Sequence, residues 1–83
     1  MKFRAEIKVT LKAGNSDPEG ETTARALREL NYAVDSVSVG KVYSVYLQET
    51  SKVEARKTAD EMCRRLLANP TKDDYEIEIR EAE

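Results

Sequence analysis

Eighty-three residues carry 14 lysines and arginines against 16 aspartates and glutamates, a net charge of −2, with one cysteine and no histidine. That balance lacks the basic face of a nucleic-acid binder, and no window reaches the roughly 20 apolar residues of a membrane helix. Without histidine, Ser–His and Cys–His nucleophilic pairs are impossible, and Cys63 alone supports neither an internal disulfide nor the usual zinc ligand sets.

In chain order, Phe3, Ala5, Ile7, Val9 and Leu11 alternate with Lys2, Arg4, Glu6, Lys8 and Thr10. This predicts a half-buried strand, and its interleaved charges leave no apolar run for a secretory leader. Lys12 to Gly20 is rich in turn residues. Asp17 can cap a helix whose first position Pro18 presets. The helix is predicted to reach Leu30 or Asn31, with Thr23, Ala24, Leu27 and Leu30 on its apolar face and Asn31 as its stop. Val37 and Val39 predict a short second strand, and Gly40-Lys41 a turn. Tyr43, Val45 and Leu47 predict a third strand as its hairpin partner. Val42 and Tyr46 make the other face of that third strand partly apolar as well, which favours contact with a second copy.

Ser51 to Glu54 matches the capping box and opens a second helix expected to run to about Ala68. Its apolar face is Ala55, Ala59, Met62, Cys63, Leu66 and Leu67. Tyr75, Ile77 and Ile79 form a last strand with Glu76, Glu78 and Arg80 opposite, and Glu81 to Glu83 reads as a frayed tail. The order strand, helix, strand, strand, helix, strand predicts a single α+β domain over residues 1–83. It is a two-layer sandwich related to the ferredoxin-like fold, an antiparallel sheet with both helices on one face. A chain this short buries only about 60–65% of its unfolded surface. With disulfide and metal staples excluded, self-association through the sheet is the remaining source of burial.

No catalytic constellation emerges. Cys63 lies on the apolar face of the second helix, as a core thiol does. The carboxylates of Asp73, Asp74, Glu76 and Glu78 sit in a strand whose neighbours point to opposite faces. The loop holding Gly14 and Gly20 precedes a helix but lacks the Gly-Lys-Ser/Thr ending of a phosphate loop. It reads as a structural turn, or as a partner-contact or ligand loop. Phe3 and Tyr43 look inward, so the aromatics do not form a base-stacking sheet.

Several segments, in order, resemble one family. They are Val9-Thr-Leu-Lys-Ala-Gly14, Asp17-Pro-Glu-Gly20, Ala26-Leu27 with Leu30-Asn-Tyr32, and Val37-Ser-Val-Gly40-Lys41. The most specific is the run from Met62 through Leu66-Leu-Ala-Asn-Pro70 to Asp74-Tyr75. The chain is similar to the PurS family, the small accessory subunit of phosphoribosylformylglycinamidine synthase in purine synthesis. Asn31 stands where the family has glycine, and asparagine tolerates the same left-handed backbone. The resemblance implies a non-catalytic subunit that pairs as a dimer or tetramer. It implies bridging of a PurL-type synthetase subunit, which uses ATP and magnesium, and a PurQ-type glutaminase subunit. No cofactor, metal, nucleic acid or membrane partner is implied for this chain, and the expected location is cytoplasmic. The expected contact or loop residues are Gly14, Asp17, Pro18, Gly20, Gly40, Lys41, Asn69, Pro70, Asp74 and Tyr75. Lys41 leads among them, because the turn needs Gly40 but not that lysine. The alternatives are a free-standing dimeric domain that binds an amino-acid effector and a small acylphosphatase-like enzyme. The latter needs an arginine cradle that Lys12-Ala-Gly14 does not supply.

Overall fold

The computed structural model describes residues 1–82. The elements are β1 (Lys2–Leu11), α1 (Pro18–Glu29), β2 (Lys41–Gln48), α2 (Lys52–Met62) and β3 (Asp73–Ala82), with a π-helical turn, Cys63–Leu67, extending α2. The α+β class and the antiparallel sheet with two helices are as expected. The sheet has three strands in the order β2-β1-β3, not four.

The missing strand is the one predicted at Val37 and Val39. Its backbone is engaged by α1 instead: the Val39 amide donates to Asp17 Oδ2 at 2.9 Å, and the Val37 carbonyl lies against Gly20. β2 therefore has no hairpin partner before it and pairs with β1 along its whole length, from Lys2↔Gln48 to Val9↔Lys41. On its other side β1 pairs with β3, from Lys2↔Ala82 to Leu11↔Asp73. Glu81 and Ala82 belong to β3 and are not frayed, while Glu83 lies outside the described residues.

The core follows the alternation in β1. Phe3, Ala5, Ile7 and Val9 are buried against Ala55, Ala59 and Cys63 of α2 and its π turn, with Ala68 and Ile79 at the margins. The small residues on α2 let its backbone lie close to the sheet, and Ser51 caps it by accepting the Glu54 amide at 3.1 Å. The last turn differs from the expected continuous α-helix. The Ala68 amide donates to the Cys63 carbonyl at 2.9 Å, five residues back. That wider turn keeps Leu67 half-buried and leaves Leu66, expected on the apolar face, 83% exposed.

Helix α1 stands apart. Its contact with the sheet is marginal, and only Gly20 and Ala24 are buried. Thr23 and Leu30, expected on a buried face, are exposed. Its end is well defined: Asn31 adopts φ 71°, Asn31 donates to the Arg28 carbonyl at 2.9 Å and Tyr32 to the Leu27 carbonyl at 3.1 Å. Those two bonds make a Schellman stop. Because α1 does not fold back, the radius of gyration is 16.2 Å, against about 12 Å for a compact chain of this length.

Candidate functional site

The predicted loop residues gather at one end of the sheet, where β1 ends and β2 and β3 begin. Each strand end sits beside the next through the register Val9↔Lys41, Val9↔Tyr75 and Thr10↔Asp74. The α1 N-terminus and the segment after the π turn close around them. A shallow cleft there is lined by Val9, Leu11, Asp17, Gly40, Lys41 and Leu67, among others.

Asp17 organises the α1 side. Its Oδ1 accepts the Gly20 amide at 2.9 Å and its Oδ2 the Val39 amide at 2.9 Å. These bonds, the Val39 bond foremost, hold the carboxyl below its ordinary pKa. Pro18 fills the first helical position. Gly20 is obligatory, since a Cβ there would stand 2.2 Å from the Val37 carbonyl oxygen. At Gly40 the same atom would lie 2.8 Å from the Val9 carbonyl oxygen, so β2 can enter the sheet only through glycine. Gly14 needs its φ of 88° for the turn rather than the space around it.

The other side is held by Asn69 and Asp73. The Asn69 amide donates to Asp73 Oδ2 at 2.8 Å, while Asn69 Oδ1 accepts the Thr71 amide at 2.9 Å. Pro70 sits exposed within this loop. Lys12 ties the loop to β1: its amide donates to the Lys72 carbonyl at 2.7 Å, and its Nζ meets Asp74 Oδ1 at 2.6 Å. Tyr75 points back to α2, donating its hydroxyl to Asp60 Oδ1 at 2.5 Å, while Arg64 Nε donates to Asp60 Oδ2 at 2.8 Å. The bond from Tyr75 and the nearby Arg64 hold the Asp60 carboxyl low, and the same bond pushes the Tyr75 phenol up.

Lys41 is exposed and makes no ion pair among the described residues. It, Pro18 and Pro70 offer surface at this end, whereas Asp17, Gly20, Gly40, Asn69 and Tyr75 are each engaged in holding the loops. Sequence reasoning missed Lys12, Asp60 and Arg64. Only the last two carried a signal, the four-residue helical spacing of an acid and an arginine. Also missed was Arg28, whose guanidinium donates to the Val34 and Asp35 carbonyls at 2.8 and 2.6 Å and pins the segment after α1.

Chemically, this end can bind and position but holds no activated nucleophile. Burial pushes the Cys63 thiol up, so it stays protonated among the core side chains. Among the described residues no helix is long and apolar enough to cross a membrane.

Residues 4–81 match the family model described as PurS, phosphoribosylformylglycinamidine (FGAM) synthase. The chain belongs to the PurS family. The PurS subunit of Archaeoglobus fulgidus is 44% identical over 78 residues, covering 93% of this chain and 98% of the relative. That of Methanothermobacter thermautotrophicus is 37% identical over 83 residues, covering 100% and 99%. Among solved structures, Methanocaldococcus jannaschii PurS superposes with a TM-score of 0.85 at 35% identity, covering 98% of this chain and 99% of that one. A chain of the Thermotoga maritima PurLQS structure superposes with a TM-score of 0.87 at 30% identity, covering 96% and 99%. The PurS fold thus spans nearly the whole chain.

Proposed function

We propose that this chain is the small, non-catalytic subunit of phosphoribosylformylglycinamidine synthase, a ligase of purine biosynthesis. It bridges a synthetase subunit and a glutaminase subunit so that ammonia released from glutamine reaches formylglycinamide ribonucleotide. The observation that carries this reading is full-length similarity to PurS subunits, including the chain from PurLQS. The loop cluster supports it, because it is built to present surface rather than to react. In this reading ATP and magnesium act on the synthetase subunit, and the assembly works in the cytoplasm. The exposed residues of the sheet end, Lys41 first, then Pro18, Asp74 and Pro70, form one contact surface for those partners. The chain also associates with itself, which supplies the burial that its thin core lacks.

Mixing the three purified proteins and measuring assembly mass by sedimentation velocity tests the reading. A ternary complex that dissolves when this chain is omitted is expected. A synthetase–glutaminase complex of equal affinity without it would remove the bridging role.

A further inference from the structure

Helix α2 carries a charge arrangement that costs stability and that no ion pair within the described residues offsets. Lys52 occupies its first position, where a cation opposes the helix dipole. Arg56 follows four residues on, so the two like charges are neighbours on the helix surface. Neither makes an ion pair among the described residues. The one carboxylate within helical reach of Arg56 is Asp60, and both of its oxygens are taken. Oδ1 accepts from the Tyr75 hydroxyl and Oδ2 from Arg64 Nε.

Arg56 is nevertheless held in place. Its Nη1 donates to the Ile77 carbonyl on the edge of β3 at 3.1 Å. That anchor leaves the remaining N–H groups of an exposed guanidinium for another acceptor. The groove beneath it, between α2 and β3, is lined by Lys52, Val53, Arg56, Lys57, Asp60 and Ile77. Val53 is 65% exposed and Ile77 half-buried, so an apolar floor lies under a rim of cations. Lys57 reaches Glu54 only at 3.4 Å on the surface, a pairing of little strength. A local cost with no return inside the fold marks a surface built for something outside it.

What complements this groove is a carboxylate beside an apolar side chain. A second copy seated there about a two-fold axis would bring the same cations together. A nucleic acid would meet a chain whose net charge is −2. We propose that the groove seats an acidic segment of one partner subunit, its carboxylate between Lys52 and Arg56 and its apolar side chain on Val53 and Ile77. This deepens the bridging role proposed above and rests on it. A bridge needs two surfaces that can be occupied together. The groove opens at the β3 edge, whereas Lys41 begins β2 on the other edge of the sheet.

Calorimetric titration of the full chain into a mixture of the synthetase and glutaminase subunits tests it. Binding of the wild type should weaken as salt rises. Lys52→Glu puts an acid at the helix start and an opposite charge beside Arg56, so its melting temperature should match or exceed that of the wild type. Its affinity for the mixture should nonetheless fall about tenfold, and that of Arg56→Glu likewise. Damage to the fold would instead lower melting temperature and affinity together. Titrations with each subunit alone then name the occupant. Wild-type affinity in both variants overturns the groove and leaves the bridging role standing. A wild type that binds neither subunit nor the mixture overturns the bridging role and the groove with it. A lower mass of Lys52→Glu by itself, read by sedimentation equilibrium, would assign the groove to a second copy and overturn the proposal.

Discussion

One carboxylate joins two parts of the chain that sequence places 22 residues apart: Asp17 accepts the Val39 amide through Oδ2 while Oδ1 caps α1 at Gly20. The helix start and the approach to β2 are consequently one unit. The sheet end that carries Lys41 depends on it, since Gly40 follows Val39 directly.

Replacing Asp17 with asparagine keeps one acceptor and loses the other, so the variant should melt several degrees lower. The pH dependence follows from the lowered carboxyl pKa. A group with a depressed folded pKa stabilises fully above its unfolded value, about 3.9, and loses that contribution as pH falls through the folded value. Acid unfolding below about pH 4 should therefore be shallower in Asp17→Asn than in the wild type, measured by circular dichroism across pH.

Gly20→Ala should destabilise despite the better helix propensity of alanine. The gain is at most about 1 kcal/mol, whereas overpacking against the backbone oxygen of Val37 costs about 1–3 kcal/mol. Urea unfolding should show a lower midpoint. Gly14→Ala meets no neighbouring atom, so any loss there comes from its φ of 88° alone.

Tyr75→Phe removes the hydroxyl that Asp60 accepts. The Asp60 carboxyl should titrate closer to the ordinary carboxylate value in the variant, with Arg64 retaining part of the depression. A carboxyl-detected NMR titration reads this directly, and an unmoved Asp60 curve would contradict the hydrogen bond.

The π turn separates two adjacent leucines. Leu66→Ser should change stability by less than about 0.5 kcal/mol, as for other exposed sites. Leu67→Ala, which removes half-buried apolar surface, should cost more, about 1–2 kcal/mol. Equal costs at the two positions would argue for the continuous α-helix expected from the sequence.

These sites mark where sequence was and was not readable. The strand alternation of β1, the caps at Asp17 and Ser51 and the left-handed stop at Asn31 are local, and each appears in the structure as read. Val37 and Val39 alternate over too few residues to decide anything, and a carboxylate far back in the chain settled their conformation. The i to i+5 bond of the π turn leaves no mark on a pattern read at 100° per residue. Nor does amphipathicity in α1 reveal whether its own sheet lies beneath it. In the candidate site the glycines and caps were legible because backbone geometry demands those residue types. Lys12–Asp74 and Asp60–Tyr75 were not, because they depend on strand register and on where α2 crosses β3.

In the proposed role, this chain couples the active sites of two other subunits. The direct test is turnover of formylglycinamide ribonucleotide by the synthetase and glutaminase subunits, with glutamine or with ammonia, in the presence and absence of this chain. Glutamine-dependent turnover should require the chain, while ammonia-dependent turnover changes far less. Equal glutamine-dependent rates with and without it would rule out the coupling role.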